Sequence, residues 1–299
     1  MDSADGTVGL VPTMGSFHDG HVALFRAARE ENDVVVVSLF VNPAQFDEER
    51  DLAAYPREEA HDAELAEGAG VDVLFLPTAE ELYPDSYQTW VDVEQLGSVL
   101  EGDVRPGHFR GVATICLKLF NLVRPQRAYF GQKDAQQTAV VRRLVRDLNV
   151  PVEIRVVPTV RDEDGLALSS RNAQLSPDEH ERALALPRAL ATRDPSRARE
   201  LLDGLDVDYV EVADFEPKVL AAAVRVGSTR LIDNVVLEGD PDMTSHPNPS
   251  TKVSLTELAD RKSRGEKLVM VTAYDHPGGR RRHHPRRRLR RGQCPRLRH

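Results

Sequence analysis

The 299-residue chain holds two cysteines, Cys116 and Cys294, far apart and in unrelated contexts. That leaves no disulfide framework and no zinc-ligand spacing, and it fits a reducing cytoplasm. No apolar run approaches the roughly 20 residues that span a bilayer. The opening Met1-Asp2-Ser3-Ala4-Asp5 lacks the basic and apolar regions of a secretory leader, so neither membrane insertion nor export is expected. Basic charge is scarce over most of the length. Ten of the 39 Lys and Arg residues fall within residues 276–299, which contain no acid; the other 29 face all 48 acids, giving a net charge of −19 over residues 1–275. An acidic body argues against nucleic acid as partner. An anionic ligand would have to be drawn by a local cluster of basic groups and metal instead of by the global field. What is present in quantity is apolar side chain, 40% of residues, enough for one large or two ordinary domains.

The run Val8 to Val11 reads as a strand, and the apolar residues of Val22 to Glu31 recur at helical spacing. The stretch between them is therefore a strand-to-helix turn, and it contains His18 and His21 on one face of a helix start. Unpaired amides and the positive end of the helix dipole favour anions there. Gly15 and Gly20 would let backbone approach a ligand. His-x-Gly-His is also the spacing of nucleotidylyl-transfer enzymes, although bare histidines at a helix start are more often surface or capping residues.

Val34 to Val41 is a continuous apolar run suited to a parallel strand, which makes a right-handed βαβ unit with the first strand and helix. Asn42 and Gln45 then fall at a strand's carboxyl end, where open α/β sheets bind ligands; locally they read equally well as turn chemistry. A helix is expected over Glu58 to Gly70, a strand over Val71 to Leu76, and a half-exposed strand over Thr89 to Val93, with Trp90 as packing. Arg105, His108 and Arg110 form a basic cluster before an apolar helix, Val112 to Val123. A short strand, Ala128 to Gly131, delivers Gln132-Lys133-Asp134 ahead of a helix over Ala135 to Leu148. Lys133 can neutralise phosphate, and Asp134 can orient a ribose or hold Mg2+; the pair also reads as a surface pair with a capping acid. Val152 to Val157 is a further strand. Ser176 and Pro177 mark a helix start, and Asp208 to Ala213, Val219 to Val226 and Arg230 to Leu237 read as three strands.

Five ordered blocks carry a family resemblance: Pro12-Thr13-Met14-Gly15-x-x-His18-x-Gly20-His21, Phe40-Val41-Asn42-Pro43-Ala44-Gln45-Phe46, residues 105–112, residues 130–137, and Leu168-Ser169-Ser170-Arg171-Asn172. From about Gly6 to Gly239 the chain resembles the pantothenate synthetase family. The resemblance implies an α/β fold with a Rossmann-like nucleotidylyl-transferase domain and parallel sheet over residues 1–160. A small α+β lid domain would occupy residues 161–239. It implies ATP-dependent condensation of pantoate with β-alanine through a pantoyl-adenylate, releasing AMP and pyrophosphate. On that basis His18, His21, Lys133 and Arg171 are catalytic. Met14, Gly15, Gly131, Asp134, Ser169 and Ser170 join those four in binding ATP, and Gln45, Gln137, Asn42 and Arg105 bind substrate. Mg2+ on Asp134 and a homodimer through the first domain are implied as well. Two other readings stay open: a nucleotidylyltransferase of the same superfamily, and a non-catalytic copy. The helical stretch from Leu186 to Asp206 and the link before Lys218 are shorter than the family pattern, and most of a leading helix before Val8 is missing, which bears on lid closure. Residues 240–299 read as a linker and a truncated, disordered tail. Within them, residues 252–275 resemble the opening of ketopantoate hydroxymethyltransferase, and the Arg-rich text from His276 looks like a coding sequence read out of frame, with nucleic-acid binding as its alternative.

Overall fold

Four consecutive valines at 34–37 show why the first sheet is covered on both faces, since a strand buried on both sides has no polar alternation to keep. They belong to β2 (Val34–Leu39), which pairs in parallel with β1 (Val8–Thr13) from Val8 opposite Val34 to Thr13 opposite Leu39. β3 (Val73–Phe75) lies outside β2, and β4 (Arg127–Gly131) and β5 (Glu153–Val157) lie on the other side of β1. The order is β3-β2-β1-β4-β5, all parallel. The structure, a computed structural model, describes residues 6–46, 52–53 and 55–237; the expectations for residues 240–299 lie outside the described residues.

Helices α1 (Asp19–Glu31) and α2 (Glu59–Gly68) cover one face, packing Phe25, Ala28 and Ala66 against Val11, Val35 and Val37. Helices α3 (His108–Val123) and α4 (Ala135–Asp147) cover the other, with Val112, Leu119 and Val140 against Leu10 and Val36. The chain reverses direction across the sheet between β1 and β4. Their carboxyl ends therefore open a crevice, the place where such sheets bind ligands.

After β5 the chain forms α5 (Pro177–Ala183), α6 (Ala185–Leu190) and α7 (Pro195–Leu201). An antiparallel sheet follows, β6 (Asp206–Asp214), β7 (Lys218–Val226) and β8 (Thr229–Val236), with β7 in the middle. Alternation along β7 explains how one strand serves two layers. Leu220, Ala222, Val224 and Val226 face the α5 to α7 cluster, while Val219 and Ala221 face Ala135 and Ala139 of α4. The second sheet is also tied by charge to the segment between β3 and β4. Arg230 donates to both Glu101 oxygens, at 2.7 and 2.8 Å, and to Asp208 at 2.5 Å, while the Tyr209 hydroxyl donates to Glu101 at 2.7 Å.

Two expectations shift. Thr89 to Val93 forms no strand: the Val91 amide donates to Thr114 Oγ1 of α3 at 3.0 Å and Trp90 stacks on Tyr83, so the segment is pinned to a helix with no strand beside it. β3 is confined to Val73–Phe75 because only those residues pair with β2. Among the described residues no helix is long and apolar enough to cross a membrane.

Candidate active site

The turn from β1 into α1 is held from below by a carboxylate. Asp62 of α2, 1% exposed, accepts the Ser16 amide at 2.8 Å and the Phe17 amide at 2.7 Å. Gly15 sits at φ +87°, where a side chain is strained, and an added Cβ would lie 3.0 Å from Asp62 Oδ2. Met14, half-buried, and Gly15, buried, directly follow the carboxyl end of β1. His18 is the N-cap of α1. Its Nδ1 accepts the Gly20 amide at 3.1 Å, and His21 Nδ1 accepts the His18 amide at 3.3 Å, a reciprocal capping box. Since both Nδ1 atoms accept, the neutral rings carry their protons on Nε2. The ring centroids are 4.3 Å apart. Burial, the neighbouring His18 and Lys133 push His21 down to about 3; burial and Lys133 also lower His18. At neutral pH both are uncharged N–H donors. Gly20 makes room for the His18 ring, whose Cε1 would lie 2.7 Å from an added Cβ, so a side chain there would disturb the cap.

Asn42 caps the 3-10 turn Pro43–Gln45 through the Ala44 amide, 3.2 Å away. Its Nδ2 donates to Gln45 Oε1 at 3.0 Å and to the Gly111 carbonyl at 3.2 Å. With that oxygen engaged, Gln45 presents its Nε2 donors, which no hydrogen bond engages among the described residues. The Gln45 carbonyl accepts from Arg105 Nη2 at 3.2 Å and from His108 Nδ1 at 3.0 Å, so that histidine proton lies on Nδ1. Burial and Arg105 take His108 down to about 4. Of the expected basic cluster, Arg105 and His108 meet at one carbonyl while Arg110 turns away. His108 is buried and neutral, Arg110 lies over the Trp90 ring at 5.1 Å, and Arg105 alone of the three is a cation beside the crevice.

An open cleft of about 470 Å³ is lined by Arg105, Lys133, Asp134 and Gln137 together with Tyr209 and Asn234 of the second sheet. A smaller one of about 260 Å³ is lined by Ser169, Arg171 and Arg230, and Lys133 lines both. Of the two adjacent glutamines, Gln136 is fully engaged: its Nε2 donates to the Leu96 and Val99 carbonyls and its Oε1 accepts the Glu101 amide. No hydrogen bond engages the Gln137 amide among the described residues. Asp134 precedes α4 without capping it. Gly131 ends β4 with open space where a Cβ would point. Ser169 Oγ accepts the Arg171 amide at 3.3 Å, and Ser170 opens the short helical turn that carries Arg171.

The crevice thus unites Lys133 with His18 and His21 on one side, whose charge balance it influences, and with Ser169 and Arg171 on the other. Gln45 and Asn42 lie outside both clefts, but Gln45 shares Arg105 with the larger one. Several residues near the site were not singled out by the sequence. Asp62 sits in an Ala-rich helix. Tyr55, raised mainly by burial and influenced by Arg171, Asp134 and Asp62, packs edge-on to Phe46. Asp233 and Asn234 are buried polar residues inside a strand, and a polar Asp-Asn pair amid apolar text is the one signal that could have marked them.

For a divalent cation, the donor set is one unbonded carboxylate, Asp134; among the described residues no cluster of three or more ligating side chains occurs. A single carboxylate completed by phosphate oxygens is the manner in which Mg2+ is commonly held, so the residues fit a phosphate-borne ion.

Comparison with known proteins gives a consistent result. The sequence model of the family described as Pantoate-beta-alanine ligase matches residues 1–236. Pantothenate synthetase of Moorella thermoacetica is 52% identical over 258 residues, covering 78% of this chain and 91% of that protein. A crystal structure of pantothenate synthetase from Thermus thermophilus superposes with a TM-score of 0.74 at 47% identity, covering 77% of this chain and 93% of that one. Pantoate-beta-alanine ligase from Francisella tularensis, complexed with beta-gamma ATP and beta-alanine, superposes with a TM-score of 0.70 at 35% identity, covering 78% and 91%.

Proposed function

The chain belongs to the pantoate–β-alanine ligase family, and from that membership we propose how its own residues carry the reaction. It is an AMP-forming ligase that joins pantoate to β-alanine. A pantoate carboxylate oxygen attacks the α-phosphorus of ATP, the bond to the bridging β-phosphate oxygen breaks, and pyrophosphate leaves. The β-alanine amine then attacks the acyl carbon of pantoyl-adenylate, the carbon–oxygen bond to phosphate breaks, and AMP departs as the amine gives up its proton. No covalent intermediate with the enzyme is needed, so the residues act by position and field.

His18 and His21 donate Nε2–H to phosphate oxygens as charge develops, and Lys133 and Arg171 neutralise the triphosphate and the departing pyrophosphate. Met14, Gly15 and Gly131 let the nucleotide lie against backbone, with Ser169 and Ser170 as hydroxyl donors. Gln45, oriented by Asn42, and Gln137 bind the pantoate hydroxyls and carboxylate, with Arg105 beside them. Asp134 would hold Mg2+ together with the phosphates, and that ion, when bound, supplies further neutralisation of the triphosphate. The observation that carries this assignment is the strand order, which sets the carboxyl ends of β1 and β4 side by side and so brings the His18 turn to Lys133. The deciding assay is pantoate-dependent exchange of labelled pyrophosphate into ATP, followed by AMP release on adding β-alanine. Exchange without pantoate, or none with it, overturns the reading.

The same proposal divides the chain into a nucleotide and pantoate domain at 1–160, a lid domain at 161–239 and an appendage at 240–299 in which residues 252–275 resemble the opening of ketopantoate hydroxymethyltransferase. It places the enzyme in the cytoplasm as a homodimer, which sedimentation of the purified chain would test.

A further inference from the structure

Adjacent residues of a strand point to opposite faces, and in β8 two such neighbours reach two different loops. Asn234 is paired with Ala221, on the α4 face of the sheet; Asp233 is paired with Ala222, on the face that meets Leu166. Both are buried, at 5% and 2% exposure. Asn234 Nδ2 donates to the Gln132 and Lys133 carbonyls, each at 2.9 Å, and its Oδ1 accepts Gln132 Nε2 at 2.9 Å. Its two donors and its acceptor are all engaged on the turn that carries Lys133. Asp233 accepts both Arg161 Nη1 and Nη2, at 2.7 and 3.1 Å, and the Asn234 amide at 2.8 Å. Arg161 in turn bridges to Ala167 and donates to the Gly165 carbonyl, closing the hairpin that leads into Ser169 to Arg171, and Asn172 returns to the Ala167 carbonyl at 3.0 Å.

We infer that Asp233 and Asn234 are positioning residues for adenylate formation, a role that rests on the placement of Lys133 and Arg171 at the triphosphate proposed above. A single strand sets the separation of the Lys133 turn and the Ser169 to Arg171 loop, so that two cations carried by distant parts of the chain converge on one polyphosphate. The bonds from Asn234 go to backbone carbonyls, leaving the Lys133 ammonium group for the ligand. Pyrophosphate is gone before β-alanine reacts, so the two residues serve the first half-reaction and not the second.

The experiment compares Asn234→Ala, the milder Asn234→Ser, Asp233→Asn and, as a reference, Lys133→Ala. Each is assayed for pantoate-dependent pyrophosphate exchange and, separately, for AMP release from preformed pantoyl-adenylate and β-alanine. Displacement of a positioned group by about 1 Å costs on the order of 100-fold. Asn234→Ala and Asp233→Asn are therefore expected to slow exchange by about 10- to 100-fold, with Asn234→Ser between them and the unmutated chain. The KM for ATP should rise, that for pantoate should hold, and AMP release should stay within about threefold. Equal loss in both half-reactions would show that the pair only holds the fold together. Normal exchange in the Asn234 and Asp233 variants, with Lys133→Ala impaired, overturns the inference alone. Normal exchange in Lys133→Ala overturns the assignment of Lys133 and this inference with it.

Discussion

A histidine that caps its own helix and also faces a ligand has two separable jobs. His18 accepts the Gly20 amide through Nδ1, which leaves Nε2–H for a phosphate oxygen. Asparagine is a good N-cap and has no equivalent of Nε2, so His18→Asn should keep the helix start while losing the donor. Loss of one donor to developing charge is worth roughly 2.7–4 kcal/mol, or about 100- to 1,000-fold in rate. Pyrophosphate exchange in His18→Asn should fall by that factor with its urea midpoint unchanged. A variant that loses stability but keeps its rate would make capping the only role of His18. The buried neutral histidines also set a pH dependence. Unfolded, His108 takes up its proton near the ordinary value of 6.5; folded, burial and Arg105 delay this to about 4. The unfolded state binds more protons between these values, so stability is full above about pH 6.5 and declines as pH falls toward 4, by up to about 1.4 kcal/mol per pH unit. His21, taken to about 3, acts with the same sign. Unfolding free energies of His108→Asn, whose amide can still donate to the Gln45 carbonyl, should show a slope smaller by about that amount between pH 6 and 4.

Among the elements, helix α3 packs more closely on the Pro43–Gln45 turn than any side chain would permit. An added Cβ at Gly111 would overlap the Ala44 carbonyl, and the Gly111 carbonyl itself accepts from Asn42. Gly111→Ala must therefore push the turn outward and carry Gln45 with it, raising the KM for pantoate with little change in that for ATP. A rise confined to ATP would show that this turn serves the nucleotide. The Asp62 clamp acts on the neighbouring turn. Hydrogen bonds to a charged group contribute about 1.5–3 kcal/mol each, so Asp62→Ala, which removes two, should lower stability by about 3–6 kcal/mol and slow exchange; an active, fully stable variant would mean the turn holds its shape unaided. Local chemistry made many elements legible from sequence. The valines of β2, the Ser176 and Pro177 helix start and the strand spans of the second sheet depend on neighbours a few residues away. What escaped depends on distance along the chain. Asp62 serves amides 45 and 46 residues away, and Asn234 serves carbonyls more than 100 residues away, so nothing beside them in the sequence reports the bond. His108 reads as a cation until the turn that buries it is in place. Thr89 to Val93 alternates as a strand should, but its partner is a helix.

At the scale of the molecule, the described fold closes at the end of β8, where the Leu237 amide donates to the Lys218 carbonyl at 2.9 Å. A chain ending at Gly239 should keep its ligase activity and its thermal midpoint, and loss of either on that truncation would give the following residues a role. The strand order that assembles the crevice also dictates when it can exist. β1 meets β2 across a separation of 26 residues but meets β4 only across 118, as between Gly9 and Arg127. Closing a loop of that length costs about 4 kcal/mol of chain entropy, which favours early formation of the β1-α1-β2 unit and late arrival of β4. A refolding or nascent chain would then display His18 and His21 on a finished helix start while Lys133 is still elsewhere. Backbone structure would recover ahead of activity, and the unfinished enzyme would be unable to form a reactive acyl-adenylate that it could not yet shelter.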